Sequence, residues 1–189
     1  MTALIVIPLL WIASCGTQKI ATIQGADHQM HQPLEGAAGE VVVVIVTSPD
    51  CPIANAIAPE MERLHQQTQA GGGRFYIVHA RDDVTPARAH EHARQYGLAA
   101  PILIDGDHAL VSQIKATVTP EIAVLRLDGR GGWDTVYQGR INNLYASLGN
   151  RRNKATEHYA RRGIEAAFNG EIMDPAYIAP LGCYLEVRH

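Results

Sequence analysis

Six consecutive aliphatic residues, Val41 to Val46, stand out against the mixed apolar and polar sequence on either side. All are β-branched and no polar residue alternates with them, which predicts a strand buried on both faces in the middle of a sheet. After Pro52 the apolar period changes. Ile53, Ile57, Met61 and Leu64 recur at spacings of four, four and three, one helix face running to about Thr68. Pro59 falls inside that helix and is expected to kink it, and Gly71, Gly72 and Gly73 end the unit. A second strand is predicted over Arg74 to Ala80, then a helix capped by Thr85, opened by Pro86 and closed by Gly97. A strand at Pro101 to Asp105 and a short helix from about His108 to Lys115 follow. From Glu121 to Ile141, two strands flank a turn region at Asp128 and Gly129, which predicts a hairpin. A last helix is expected over Ala155 to Phe168. Early β-α alternation with a late antiparallel hairpin gives an α/β fold, a mixed central sheet with helices on both faces.

Composition adds the scale. The chain of 189 residues is 47% hydrophobic and 19% charged, enough apolar material for one globular domain. Its net charge of -3 and its scattered Lys and Arg argue against nucleic acid as a partner. The densest basic cluster, Arg151, Arg152 and Lys154, reads as a solvated helix end. Ala3 to Ala13 is apolar, of signal-peptide length and too short to span a bilayer as a helix. It ends in Ile12-Ala13-Ser14-Cys15, which resembles the lipobox of bacterial lipoproteins, although Met1-Thr2 places no Lys or Arg ahead of it. The expectation is a signal peptide over 1–14, lipidation at Cys15, a flexible tether over 15–33 and a folded domain over 34–189. The protein would then be lipid-anchored at the cell envelope, facing the periplasm or exterior, with no other membrane contact. An ordinary signal sequence and a buried amino-terminal element are the alternatives.

Setting Cys15 aside leaves Cys51 and Cys183 of the three cysteines, in a compartment where disulfides form. Cys51 sits between a buried strand and a helix start. The first N–H groups of a helix lack partners, and a thiolate placed before them is stabilised. Asp50 opposes this: at ~6 Å a carboxylate disfavours a thiolate by roughly 0.7 to 3 kcal/mol. The plain alternative is a buried, inert thiol. Cys183, flanked by Pro180 and Gly182, lies on a turn-rich tail able to fold back. It is a distant resolving cysteine, half of a structural disulfide, or a free thiol. Nine histidines do not form a convincing metal site. His90 and His92 point to different faces of a helix, His28 and His31 fall in the expected tether, and His79 and Cys183 are isolated candidates. Neither a metal nor another cofactor is implied.

The strand, Cys51-Pro52-Ile53-Ala54 and the helix with Pro59, together with Thr119-Pro120, "YQGRI" and "LGCYLE", resemble the thioredoxin-like superfamily and its peroxiredoxin-like, redoxin branch. The likeness runs from about Leu34 to Glu186. It implies a thioredoxin-like three-layer sandwich with a C-terminal hairpin and helix. It also implies a cis peptide at Thr119-Pro120 facing Cys51, with Pro52, Thr119 and Pro120 binding substrate. Ala54 stands where a thioredoxin has its second cysteine, so a dithiol Cys-x-x-Cys mechanism is excluded. The Pro-x-x-x-Thr-x-x-Cys pattern of true peroxiredoxins is missing too, with Ser48 three residues before Cys51. A copper-delivery protein of this fold would carry two cysteines in the motif. Arg140 matches a recurring element of the branch or serves as a surface ion-pair residue, and Asn142 and Asn143 replace acidic residues common among relatives. The implied function is thiol-disulfide exchange or antioxidant chemistry on a protein or small thiol, with Cys51 as nucleophile and Cys183 resolving. A non-catalytic binding module with a structural Cys51–Cys183 disulfide is the rival, and thiol peroxidase the lesser alternative.

Overall fold

The computed structural model describes residues 20–185; the expected signal peptide and Cys15 lie outside the described residues. Strands β1 (Ile23–Gly25) and β2 (Met30–His31) come first. Then β3 (Val41–Thr47), α1 (Pro52–Ala70), β4 (Arg74–His79), α2 (Pro86–Tyr96), β5 (Ile102–Ile104) and α3 (Ala109–Ile114) alternate. The chain continues with β6 (Val118–Thr119), β7 (Glu121–Leu127) and β8 (Trp133–Gly139). It closes with β9 (Tyr145–Ser147), β10 (Asn150–Arg151), α4 (Tyr159–Phe168), β11 (Tyr177–Ile178) and β12 (Cys183–Tyr184).

Eight strands share one sheet, in the order β11-β8-β7-β3-β4-β5-β1-β2. β3 runs parallel to β4 and antiparallel to β7, so the sheet is mixed. Every residue of β3 is buried, because its alternate side chains feed two cores. Val41, Val43 and Ile45 pack with Met61 and Leu64 of α1 and Ile164 of α4, on the face that α2 also covers. Val42, Val44 and Val46 pack with Leu110 and Val111 of α3 on the other. Fully burying such a side chain contributes about 1.5–3 kcal/mol, so both helical layers form around this strand. The result is the expected α/β three-layer sandwich with a thioredoxin-like order.

Several elements differ from expectation. Residues 20–33 are folded and not a tether. β1 pairs antiparallel with β5, and Ala21 and Ile23 are buried; three alternating residues are too few to give a readable period. α1 continues through Pro59 as one helix and ends at Ala70. The last helix starts at Tyr159 instead of Ala155. The Asn143 Oδ1 accepts from the N–H groups of Thr156 and Glu157 at 2.8 and 3.0 Å, which holds that stretch in a loop. Asn142 is buried, and its Oδ1 accepts from the Leu144 N–H at 3.0 Å. Both asparagines therefore have structural work. Among the described residues no helix is long and apolar enough to cross a membrane.

Candidate redox site

The site lies at the C-terminal end of β3. Thr47 ends the strand, and a turn at Ser48, Pro49 and Asp50 carries the chain to Cys51, the N-cap residue of α1. The Cys51 N–H donates to the Ser48 carbonyl at 3.1 Å, and Pro52 opens the helix with the fixed φ that its first position requires. Asn55, one turn in, donates from Nδ2 to the Pro49 carbonyl at 2.9 Å, and its Oδ1 lies 2.9 Å from His92 Nε2 on α2. The turn is thus fixed from both helices.

Two distant segments complete the site. The Thr119–Pro120 peptide is cis, and the Cys51 thiol donates to the Thr119 carbonyl at 3.3 Å. The C-terminal strand β12 lies antiparallel along β6, with Cys183 opposite Thr119 and Tyr184 opposite Val118. That register puts the Cys183 sulfur 3.5 Å from the Cys51 sulfur, across a sequence separation of 132 residues. Of the sequence-predicted site residues, Cys51, Pro52, Thr119, Pro120 and Cys183 come together here.

The surroundings of Cys51 depart from expectation in two ways. Its sulfur caps no helix N–H, bonding the Thr119 carbonyl instead, and only 2% of the residue is exposed. The tail lies over it, and Cys183 is the exposed member of the pair. The opposing charge of Asp50 is already met. Its two carboxylate oxygens each lie 2.7 Å from Arg88 Nη2, with Arg81 at 3.8 Å. Hydrogen bonds to Asp50 and then Asp83 raise the Arg88 guanidinium above its ordinary value. Partial burial, and then the neighbouring Cys51 sulfur, push the Cys183 thiol up.

A cleft of about 340 Å³ runs past both sulfurs, lined also by Arg81, His108 and Tyr184. The His108 Nε2 sits 2.7 Å from the Ala80 carbonyl, which fixes the ring at the rim. Among the described residues no three His, Cys, Asp or Glu side chains are grouped to hold a metal. His79 and His92 form a buried ring pair with centroids 5.2 Å apart. Sequence reasoning missed Arg88, Arg81 and Asn55, for which the sequence carries no signal tying them to the turn. It gave Arg140 as a match to a recurring element of the branch or as a surface ion-pair residue. Arg140 binds the tail, its Nε donating to the Ala179 carbonyl at 3.0 Å and its N–H to the Ile178 carbonyl at 2.9 Å.

A family model described as Redoxin matches residues 19–130. No curated protein sequence matches the chain. Among solved structures, a hypothetical protein from Sinorhizobium meliloti is similar with a TM-score of 0.72 and 16% identity, over 90% of this chain and 92% of that one. An uncharacterised conserved protein from Geobacillus kaustophilus has a TM-score of 0.69 and 17% identity, over 90% and 89%. A secreted Mycobacterium tuberculosis disulfide oxidoreductase, homologous to E. coli DsbE, has a TM-score of 0.52 and 16% identity, over 79% and 95%. At such identities these likenesses are of fold.

Proposed function

This chain belongs to the Redoxin family, and so to the thioredoxin-like redox proteins, and on that premise we propose that it exchanges disulfides with protein or small-molecule thiols through Cys51 and Cys183. The observation that carries the proposal is the 3.5 Å separation of the two sulfurs. A disulfide needs about 2.0 Å, so closure takes a small side-chain movement. In the reductive direction the Cys51 thiolate attacks one sulfur of a substrate disulfide, forming a mixed disulfide and releasing the first substrate thiolate. The Cys183 thiolate then attacks the Cys51 sulfur and releases the second. The substrate gains two electrons and two protons. The pair, now a disulfide, is restored by an external dithiol. The reverse sequence oxidises a substrate dithiol.

The near-complete burial of Cys51 favours one rival, a binding module whose Cys51–Cys183 disulfide is purely structural. Trapping separates them. A Cys183→Ser variant incubated with a disulfide-linked peptide is expected to accumulate a Cys51–peptide adduct by mass spectrometry. The unaltered protein releases reduced peptide and retains an internal disulfide. Absence of any adduct in Cys183→Ser would remove the exchange activity and leave the structural disulfide. On the strength of the sequence, the same proposal includes a lipid-anchored envelope location with Cys15 as the modified residue.

A further inference from the structure

The strand edge beside Cys51 is already occupied, by the chain itself. β12 lies antiparallel on β6, the Leu185 N–H donates to the Thr117 carbonyl at 2.9 Å, and Thr119 Oγ1 lies 3.5 Å from the Cys183 carbonyl. Just ahead, Gly182 runs so close to β6 that a Cβ added there would sit 1.9 Å from the Thr119 carbonyl oxygen. The tail is fastened upstream, where β11 pairs with β8 and Arg140 holds Ala179. Between the two attachments only Pro180, Leu181 and Gly182 intervene. The downstream attachment is slight. It is a two-residue ladder, far shorter than the usual strand of about five or six residues, and its Tyr184 is 86% exposed.

The edge beneath the tail is held by other means. Glu121, buried on β7, accepts from the N–H groups of Thr117 and Val118 at 2.9 and 3.2 Å, and from Gln138 Nε2 at 2.8 Å. These bonds tie β6 from its own side of the sheet. They remain when the tail leaves, so the outward edge is preformed for a strand.

We propose that residues 183–185 are a tethered occupant of this edge, which an extended, cysteine-bearing polypeptide must displace, pairing antiparallel with β6, before its sulfur reaches Cys51. This rests on the exchange function proposed above and narrows its substrate from thiols in general to extended protein chains. It also couples docking to redox state. The internal disulfide fastens the tail on the edge, and its reduction leaves only the short ladder, so a client docks on the dithiol form. A binding-competent form present a tenth of the time lowers apparent reactivity about tenfold.

Gly182→Ala tests this by crowding the tail off the edge while leaving Cys51 in place. In a Cys183→Ser background, Gly182→Ala is expected to raise the rate of adduct formation between Cys51 and an extended peptide disulfide about tenfold, and to remove the hydrogen-exchange protection of the Leu185 amide. A chain ending at Gly182 is expected to show the same acceleration. Equal adduct rates with and without Gly182→Ala and truncation would overturn the tethered occupant while leaving the exchange function standing. Unchanged Leu185 protection in Gly182→Ala means that the tail is still seated, and the chain ending at Gly182 then decides: faster adduct formation supports the tethered occupant and an unchanged rate overturns it. No adduct in any variant would remove the exchange function, and the tail's role with it.

Discussion

Asp50 precedes Cys51 in the chain, and on sequence alone its charge counts against a thiolate there. The structure offsets that charge, because Arg88 approaches both of its oxygens at 2.7 Å. Arg88 also bonds Asp83 at 2.9 Å, so the guanidinium bridges the redox turn and the loop before α2. Arg88 is partly exposed and Asp50 more so, and such surface pairs contribute only up to about 1 kcal/mol. Replacing Arg88 with Gln uncovers the carboxylate one residue before Cys51, which is unfavourable to a thiolate there. In a Cys183→Ser background, Arg88→Gln is expected to slow alkylation of Cys51 at neutral pH by about twofold to fivefold, the range that pair energy allows. The loss should shrink in molar salt, where screening covers such distances. A rate equal to or above the parent's at low salt would show that Arg88 does not act on the thiol.

α2 is the element its sequence describes best. Thr85 accepts from the Arg88 N–H through Oγ1 at 3.3 Å, and Gly97 takes the left-handed conformation that closes the helix. Such caps are local chemistry and so are visible in one segment. α4 is governed from outside. Gly163 lies against Tyr137 of β8, where an added Cβ would come within 2.6 Å of the tyrosine Cβ and 2.9 Å of its ring. Helix propensity alone makes Gly163→Ala stabilising by up to about 1 kcal/mol. Forcing a methyl into a packed interface costs typically about 1–3 kcal/mol. The contacts fall near the tyrosine backbone, where no flexible end can swing aside, so the second effect should win. Gly163→Ala is expected to lower the unfolding free energy in urea by about 1–2 kcal/mol, and a gain would show that α4 shifts freely over β8. The same external control explains why periodicity placed this helix start four residues early: Asn143, from the preceding loop, fixes Thr156 and Glu157.

Much of the sheet was legible because its centre is written as an unbroken β-branched run, and the two cysteines were legible as candidates by subtraction. Their approach was not, since it depends on the register of Cys183 against Thr119, 64 residues away, and on Gly139 and Gly182 leaving room for the tail's backbone. His79 was equally hidden. At the end of β4, opposite Thr47, it is fully buried, and among the described residues neither ring nitrogen makes a hydrogen bond of ordinary geometry. Burial first, and then the neighbouring His92, depress its pKa from 6.5 to about 3, with the Thr47 backbone opposing in part. His92 is also lowered, mainly by burial. The unfolded chain therefore takes up protons below about pH 6.5 that the folded chain refuses, and stability present above that pH is lost as pH falls toward 3. One such group accounts for a slope approaching about 1.4 kcal/mol per pH unit. His79→Leu removes the titrating group and its unpaired nitrogens together, a change that buried sites tolerate at little cost. Urea unfolding from pH 7 down to pH 4.5 should then show a shallower loss of stability than in the parent protein, by roughly one proton's worth of slope. Parallel profiles would mean that His79 takes up its proton in the folded protein as readily as in the unfolded chain.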